Sequence, residues 1–127
     1  MKQEVLLTLG EAKECLEDAR IMLDKQRWKT TVSRSYYAMF NTAKAALVSI
    51  DNKAFTHQGV NIQFSKQFIK TGIFEKHLIT AFSKMLDARL KADYEIGFKA
   101  TEEDAKNAIK DAENFYSEIE KYLKLNE

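Results

Sequence analysis

The sequence predicts an all-α fold, an up-and-down bundle of four to five helices, and three observations lead to this prediction. Apolar residues recur at steps of three and four along the chain, which places them on one face of each helix. Four glycines and no proline in 127 residues leave few helix breakers. The stretch Ser33 to Leu47 combines a wide aromatic stripe with small residues, which suits a helix buried on more than one side.

Two helices are expected in the first half of the chain. The first covers about residues 3–25, with charged residues between its apolar positions. Its apolar positions are Leu9, Ala12, Leu16, Ala19 and Leu23. The second covers about residues 28–50 and is expected to be central to the bundle or to a dimer, because alanines beside its stripe let another helix approach closely. Its stripe is Val32, Tyr36, Met39, Phe40, Ala43, Leu47 and Ile50.

Three further helices are expected after residue 53. Thr56 can cap the third, which carries Val60, Ile62, Phe64, Phe68 and Ile69 before Thr71-Gly72 interrupts it. The fourth begins near Phe74, with a stripe of Phe74, Leu78, Ala81, Phe82, Met85, Ala88 and Ala92. A connection containing Gly97 follows over residues 95–100. The fifth begins at Thr101, which resembles the first residue of a capping box with Asp104 in place of the usual glutamate. Its stripe is Ala105, Ala108, Ala112, Phe115, Ile119 and Tyr122.

Length and charge restrict the class of protein. A chain of 127 residues predicts one domain, 1–127, which buries roughly two thirds of its unfolded surface without metals or disulfides. Its 20 basic and 19 acidic residues nearly cancel, so any RNA binding must come from a local patch. A single cysteine, no secretory leader and no apolar run of about 18 residues predict a soluble cytoplasmic protein with no membrane partner.

Familiar catalytic motifs are missing from the sequence. It has no glycine-rich phosphate loop, no paired cysteines and no His-Glu-x-x-His, so we expect neither a metal nor a cofactor. Cys15 lies beside the stripe of the first helix, where a structural thiol is the simpler interpretation. His57 and His77 are far apart in sequence. Each can act as a base or a ligand, but single histidines are more often packing or surface residues.

Arg89 stands out because it occupies a core position of the fourth helix. Phe82 and Met85 precede it at helical spacing, so its side chain should be partly buried and should have a partner. Asp93 lies one turn later, at the spacing of an ion pair. Arg89 is therefore either half of a salt bridge near the helix end or a phosphate-binding group in a cleft between helices. The residues alone leave both interpretations open.

A second polar row runs along the central helix. It consists of Arg34, Tyr37, Asn41 and Lys44. These residues either line the same cleft as Arg89 or face water, and exposure is the default expectation for such a row.

Four segments in order resemble the HEPN domain family. They are the helix SRSYYAMFNTAKAAL, Thr56-His57-Gln58-Gly59-Val60 with Phe64 beyond it, Ala88-Arg89 followed by Ala92-Asp93-Tyr94, and an alanine-rich last helix. The resemblance covers nearly the whole chain. It implies a bundle of four to five helices that commonly forms a homodimer. It also implies a partner, because small prokaryotic members often act with a minimal nucleotidyltransferase, in many cases as the toxin of a toxin–antitoxin pair.

The resemblance further implies a test for ribonuclease activity. Active members cleave RNA without metal and carry an arginine followed, after four to six residues, by a histidine. Arg89 matches the arginine, but Tyr94 stands where the histidine is expected, and tyrosine with a pKa near 10 is a poor base at neutral pH. His57 can replace that histidine only if the third helix folds its start toward Arg89.

Three hypotheses follow, and we prefer the first. In the first, the chain is a homodimeric HEPN module that works with a nucleotidyltransferase and binds nucleotide or RNA phosphate through Arg89. In the second, it is a metal-independent ribonuclease toxin that uses Tyr94 or His57 as proton carrier, so whether it is an enzyme stays open. In the third, it is a structural module in which Arg89 and Asp93 clamp two helices together.

Overall fold

The computed structural model, which describes residues 1–126, is an all-α bundle without strands in that range. Its helices are α1 (Gln3–Asp24), α2 (Trp28–Val48), α3 (His57–Phe64), α4 (Lys76–Tyr94) and α5 (Glu102–Leu125). A π-helical segment, Ser65–Ile69, continues α3. The predicted fold class and the predicted order of the helices are confirmed.

Side-chain caps fix the starts of α3 and α5 as the sequence predicts. The Thr56 hydroxyl accepts a hydrogen bond from the Gly59 amide at 2.9 Å, which satisfies one of the free amides at the start of α3. Thr101 and Asp104 exchange two such bonds and form a complete capping box for α5. Gly97, with a φ of 81°, makes the turn between α4 and α5 in a conformation that favours glycine.

Two boundaries and one face differ from the predicted pattern. The central helix ends at Val48 rather than at Ile50, and α4 begins at Lys76 rather than near Phe74. The Phe74 amide donates to the Phe68 carbonyl at 2.8 Å, so the Phe74 backbone closes the turn after the π-helical segment. Ile62 was predicted in the α3 stripe but is 52% exposed, because it points nearly opposite to the buried Val60 on a helix.

The core is built around α2, which packs against all four other helices. An aromatic cluster fills the space between α2, α3, α4 and α5, and its ring centroids lie 5.5 to 6.4 Å apart. Its members are Tyr36, Phe64, Phe82 and Phe115. All four are fully buried, which confirms the prediction that the second helix is central.

Across residues 1–126 we find no helix with the length and apolar character that a bilayer span requires.

Candidate functional site

Arg89 lies on the face of α4 that packs toward α2 and is only 8% exposed. Its Nε donates to Asp93 Oδ2 at 2.9 Å, which forms the ion pair that the spacing predicts. Its Nη2 donates to the Tyr37 hydroxyl of α2 at 2.9 Å. The ion pair lies within α4, so the predicted clamp between two helices is wrong as an Arg89–Asp93 contact. The Arg89–Tyr37 hydrogen bond provides the connection between helices.

The third guanidinium nitrogen of Arg89, Nη1, is the one that is not engaged by Asp93 or Tyr37. Nη1 makes no hydrogen bond with any described residue. Within residues 1–126, no fully buried side-chain nitrogen or oxygen of a buried or half-buried residue lacks a hydrogen-bond partner, so Nη1, which has none, keeps at least a small exposed area. Two donors therefore hold the guanidinium in place, and Nη1 keeps its capacity to donate.

Aromatic rings surround the guanidinium. Its central carbon lies 5.5 Å from the ring centroid of Tyr36, 5.3 Å from that of Tyr37 and 5.6 Å from that of Tyr94. These distances allow cation–π attraction, which helps to stabilise the charge of this largely buried side chain. Tyr94 itself is 70% exposed and lies on the solvent side of the guanidinium.

His57, the first residue of α3, packs against two of the rings that surround Arg89. Its Nδ1 lies 2.7 Å from the Tyr36 hydroxyl, and its ring packs on Phe40 at 4.7 Å between centroids and on Tyr37 at 5.9 Å. Burial lowers the pKa of His57, and the nearby Arg89 charge lowers it further. The third helix thus folds its start toward Arg89, which is the condition under which His57 can serve as proton carrier.

The second polar row is half-buried rather than exposed, and its members separate. Arg34 stacks over the Tyr37 ring at 4.9 Å, and Lys44 lies over the Phe40 ring at 5.5 Å. Both cations therefore border the rings that pack around Arg89 and His57. Asn41 instead faces α1, where its side-chain nitrogen lies 3.9 Å from Cys15 Sγ. Default exposure fails here because α2 has neighbours on most sides.

Tyr36 is the site residue that sequence reasoning missed. The apolar stripe places it in the core, and its ring is fully buried there. Its hydroxyl, however, reaches His57, which is 21 positions later in the chain. The sequence did contain one indication that Tyr36 has a polar contact, because a tyrosine in a buried stripe needs a partner for its hydroxyl.

The described residues around Arg89 do not form a metal-binding site. Within residues 1–126, no three His, Cys, Asp or Glu side chains converge as metal ligands do. What this group of residues offers is a fixed guanidinium, a histidine and two bordering cations over aromatic rings, and this combination suits a phosphate group with an attached planar group.

Comparison with known proteins agrees with the fold. A sequence model of the HEPN domain matches residues 5–122. The chain belongs to the HEPN domain family. A UPF0332 protein of Thermotoga maritima is 36% identical over 112 residues, which is 88% of this HEPN chain and 85% of the relative. A Methanocaldococcus jannaschii protein named "Putative toxin MJ0605" is 34% identical over 98% of this chain and 92% of its own. A second from that organism, "Putative toxin MJ0142", is 29% identical over 96% and 83%.

Proposed function

We propose that this HEPN protein is a toxin–antitoxin-like module that binds the phosphate of RNA or of a nucleotide at Arg89. In this role it is a single domain that forms a homodimer and works with a minimal nucleotidyltransferase. The observation that carries the proposal is the buried Arg89 guanidinium, which is held by Asp93 and Tyr37 while its Nη1 stays open. A planar donor fixed in this way loses little freedom when it binds an anion.

The surroundings of Arg89 support an RNA or nucleotide ligand over a bare anion. Arg34 and Lys44 add two positive charges over the neighbouring Tyr37 and Phe40 rings, and Asp93 adds one negative charge. Tyr94, which is 70% exposed, offers a ring on which a base can stack. Cations beside aromatic rings are the usual means of binding single-stranded nucleic acid.

Family relationships support the toxin–antitoxin setting. Two archaeal relatives that cover most of this chain have the word toxin in their names. Small prokaryotic HEPN proteins of this kind commonly act with a minimal nucleotidyltransferase, and we extend that partner to this chain.

Binding of a short fluorescent single-stranded RNA of mixed sequence, followed by anisotropy, tests the proposal. Arg89→Met keeps the apolar stem but removes the charged donors, and we expect it to weaken binding roughly tenfold or more. Arg20→Met is the matched control, because Arg20 is a 49% exposed arginine paired with Glu113 on the α1–α5 side. We expect this control to bind within about twofold of the wild type. Equal binding by Arg89→Met and wild type would overturn the proposal.

Metal-independent cleavage of RNA is a second candidate, favoured by the position of His57. The histidine shares the Tyr36 and Tyr37 rings with Arg89, so one phosphodiester can contact both residues. Arg89 then stabilises the charge on the phosphorane, and His57 transfers the proton as the 2′-oxygen attacks phosphorus and the 5′-oxygen leaves.

Incubation of an RNA pool with purified protein in EDTA tests this second candidate. If His57 transfers a proton, His57→Gln retains binding but loses cleavage, since an amide can donate a hydrogen bond but cannot accept and return a proton. Arg89→Met loses both activities. Cleavage that His57→Gln and Tyr94→Phe leave unchanged would exclude both predicted proton carriers.

A further inference from the structure

Tyr36 and His57 are joined by a hydrogen bond within the site, but the Tyr36 side chain is fully buried and cannot contact a ligand itself. The Tyr36 hydroxyl oxygen lies 2.7 Å from His57 Nδ1, and the tyrosine is completely buried beneath the histidine ring. Tyr36 also stacks near Phe40 and Phe82, at 6.1 Å between centroids in each case. Packing therefore fixes the tyrosine ring before any ligand arrives.

Hydrogen-bond satisfaction indicates which partner donates. The Tyr36 hydroxyl has no other hydrogen-bond partner among residues 1–126. If Nδ1 carried the proton and donated it, the tyrosine proton would be buried without an acceptor, which is unfavourable. If Tyr36 donates, both groups are satisfied. Burial raises the pKa of Tyr36, so the hydroxyl keeps the proton that it donates.

A histidine that accepts at Nδ1 carries its proton on Nε2 when it is neutral. His57 Nε2 makes no hydrogen bond with any described residue, and the half-buried His57 has no buried nitrogen without a partner. Nε2 therefore keeps at least a small exposed area, as Arg89 Nη1 does. Two open N–H groups thus border one pair of tyrosine rings.

We propose that Tyr36 is a positioning residue that donates to His57 Nδ1 and thereby holds the histidine as the Nε2–H tautomer. His57 then presents a hydrogen-bond donor beside Arg89, and the pair binds two oxygens of one phosphate. This second part rests on the proposed phosphate-binding function. In this tautomer His57 is a donor and not a base, so the inference favours binding over His57-catalysed deprotonation of the 2′-hydroxyl.

Nitrogen-15 NMR of the histidine rings tests the tautomer without any ligand. The chain has two histidines, so signals that disappear in His57→Gln belong to His57. Well above the ordinary histidine pKa of about 6.5, we expect wild-type His57 to show an unprotonated Nδ1 and a protonated Nε2. In Tyr36→Phe both nitrogen shifts should move toward those of a histidine that exchanges between tautomers. Tyr116→Phe removes another bonded hydroxyl, at Glu120 on α5, and should leave His57 unchanged.

Three results would overturn the proposal in separable ways. An Nδ1–H tautomer in the wild type refutes the donation by Tyr36, even if Tyr36→Phe does not fold. Identical His57 shifts in wild type and folded Tyr36→Phe refute the positioning role.

The last test uses the same fluorescent RNA, for which we expect Tyr36→Phe to weaken binding about twofold to tenfold. If the tautomer changes but affinity does not, His57 donates nothing to the phosphate. If wild type binds no RNA, the proposed function fails while the NMR result on Tyr36 still stands.

Discussion

At the scale of single residues, the Arg89 side chain combines stabilising and ligand-binding contacts. Its Nε and Nη2 bind Asp93 and Tyr37, and its Nη1 stays open, so one residue performs both tasks. The two interpretations that the sequence left open are therefore compatible. Substitution of Arg89 must be examined for its effect on stability as well as on binding.

Arg89→Met should destabilise the protein by about 1–3 kcal/mol, because it removes two charge-assisted hydrogen bonds and leaves the Tyr37 hydroxyl without its donor. Asp93→Asn should cost less, since the Asp93 side chain is 27% exposed and water can replace its partner. Chemical denaturation of both variants checks this order. A larger loss in Asp93→Asn would contradict it.

Acidification should weaken the fold through His57. Burial and then the Arg89 charge lower the pKa of His57 below its ordinary value of 6.5, so the folded chain binds this proton less readily than the unfolded chain. Between the two pKa values the unfolded state carries more protons, and the free energy of unfolding falls as the pH falls. Above the pKa that His57 has in the unfolded chain, this contribution to the free energy of unfolding is fully retained.

Melting curves at about pH 7 and about pH 5 check this expectation. Wild type should lose more stability over this interval than His57→Gln, whose amide does not titrate. A wild type that loses no more than His57→Gln would show that His57 protonates equally well in both states.

Sequence reasoning at this scale succeeded within helices and failed between them. The Arg89–Asp93 pair follows from a spacing of four residues, whereas the Arg89–Tyr37 contact joins residues 52 positions apart. Helical periodicity gives the face on which a residue lies but not the rotation of one helix against another. The Tyr36–His57 bond was not predictable from spacing for the same reason.

At the scale of helices, the start of α3 determines where His57 lies. Thr56 caps this short helix, and His57 is its first residue. Thr56→Ala should cost about 1 kcal/mol and should also loosen the His57 ring. Thr101→Ala removes the cap of α5 at a similar cost but leaves the site unchanged. Denaturation and the NMR signals of His57 measure the two effects. A His57 signal that is equally unaffected in both variants would contradict the role of the Thr56 cap.

Capping residues made the starts of α3 and α5 predictable, whereas the π-helical segment was not predictable. Thr56 and Thr101 are local signals, so they are readable from sequence. Phe64 and Phe68 are four residues apart, which is the usual spacing of buried residues on an α-helix. The sequence of Ser65–Ile69 therefore does not distinguish a π-helix from an α-helix. Its wider turn ends where the Lys70 amide donates to the Ser65 carbonyl at 2.9 Å.

At the scale of the whole molecule, the central position of α2 was predictable because its stripe is wide and its flanks are small. Within the chain, His57 and Phe82 cover Tyr36, and His57 packs on Phe40. Tyr37 stays half-buried. The homodimer therefore stays a prediction.

We expect sedimentation at micromolar concentration to give the mass of two chains, as the HEPN resemblance implies. A monomer across the micromolar range would contradict a stable homodimer. RNA binding by that monomer would show that one chain forms the site alone.

NMR titration of the Arg89 Nε–H signal with the short single-stranded RNA tests the central claim most directly. Because Nε is fixed by Asp93, this signal should be distinct from those of exposed arginines such as Arg20. We predict that added RNA shifts the Arg89 and His57 signals together and leaves Arg20 unchanged. RNA binding that shifts other basic residues but neither Arg89 nor His57 would show that these two residues do not form the phosphate site.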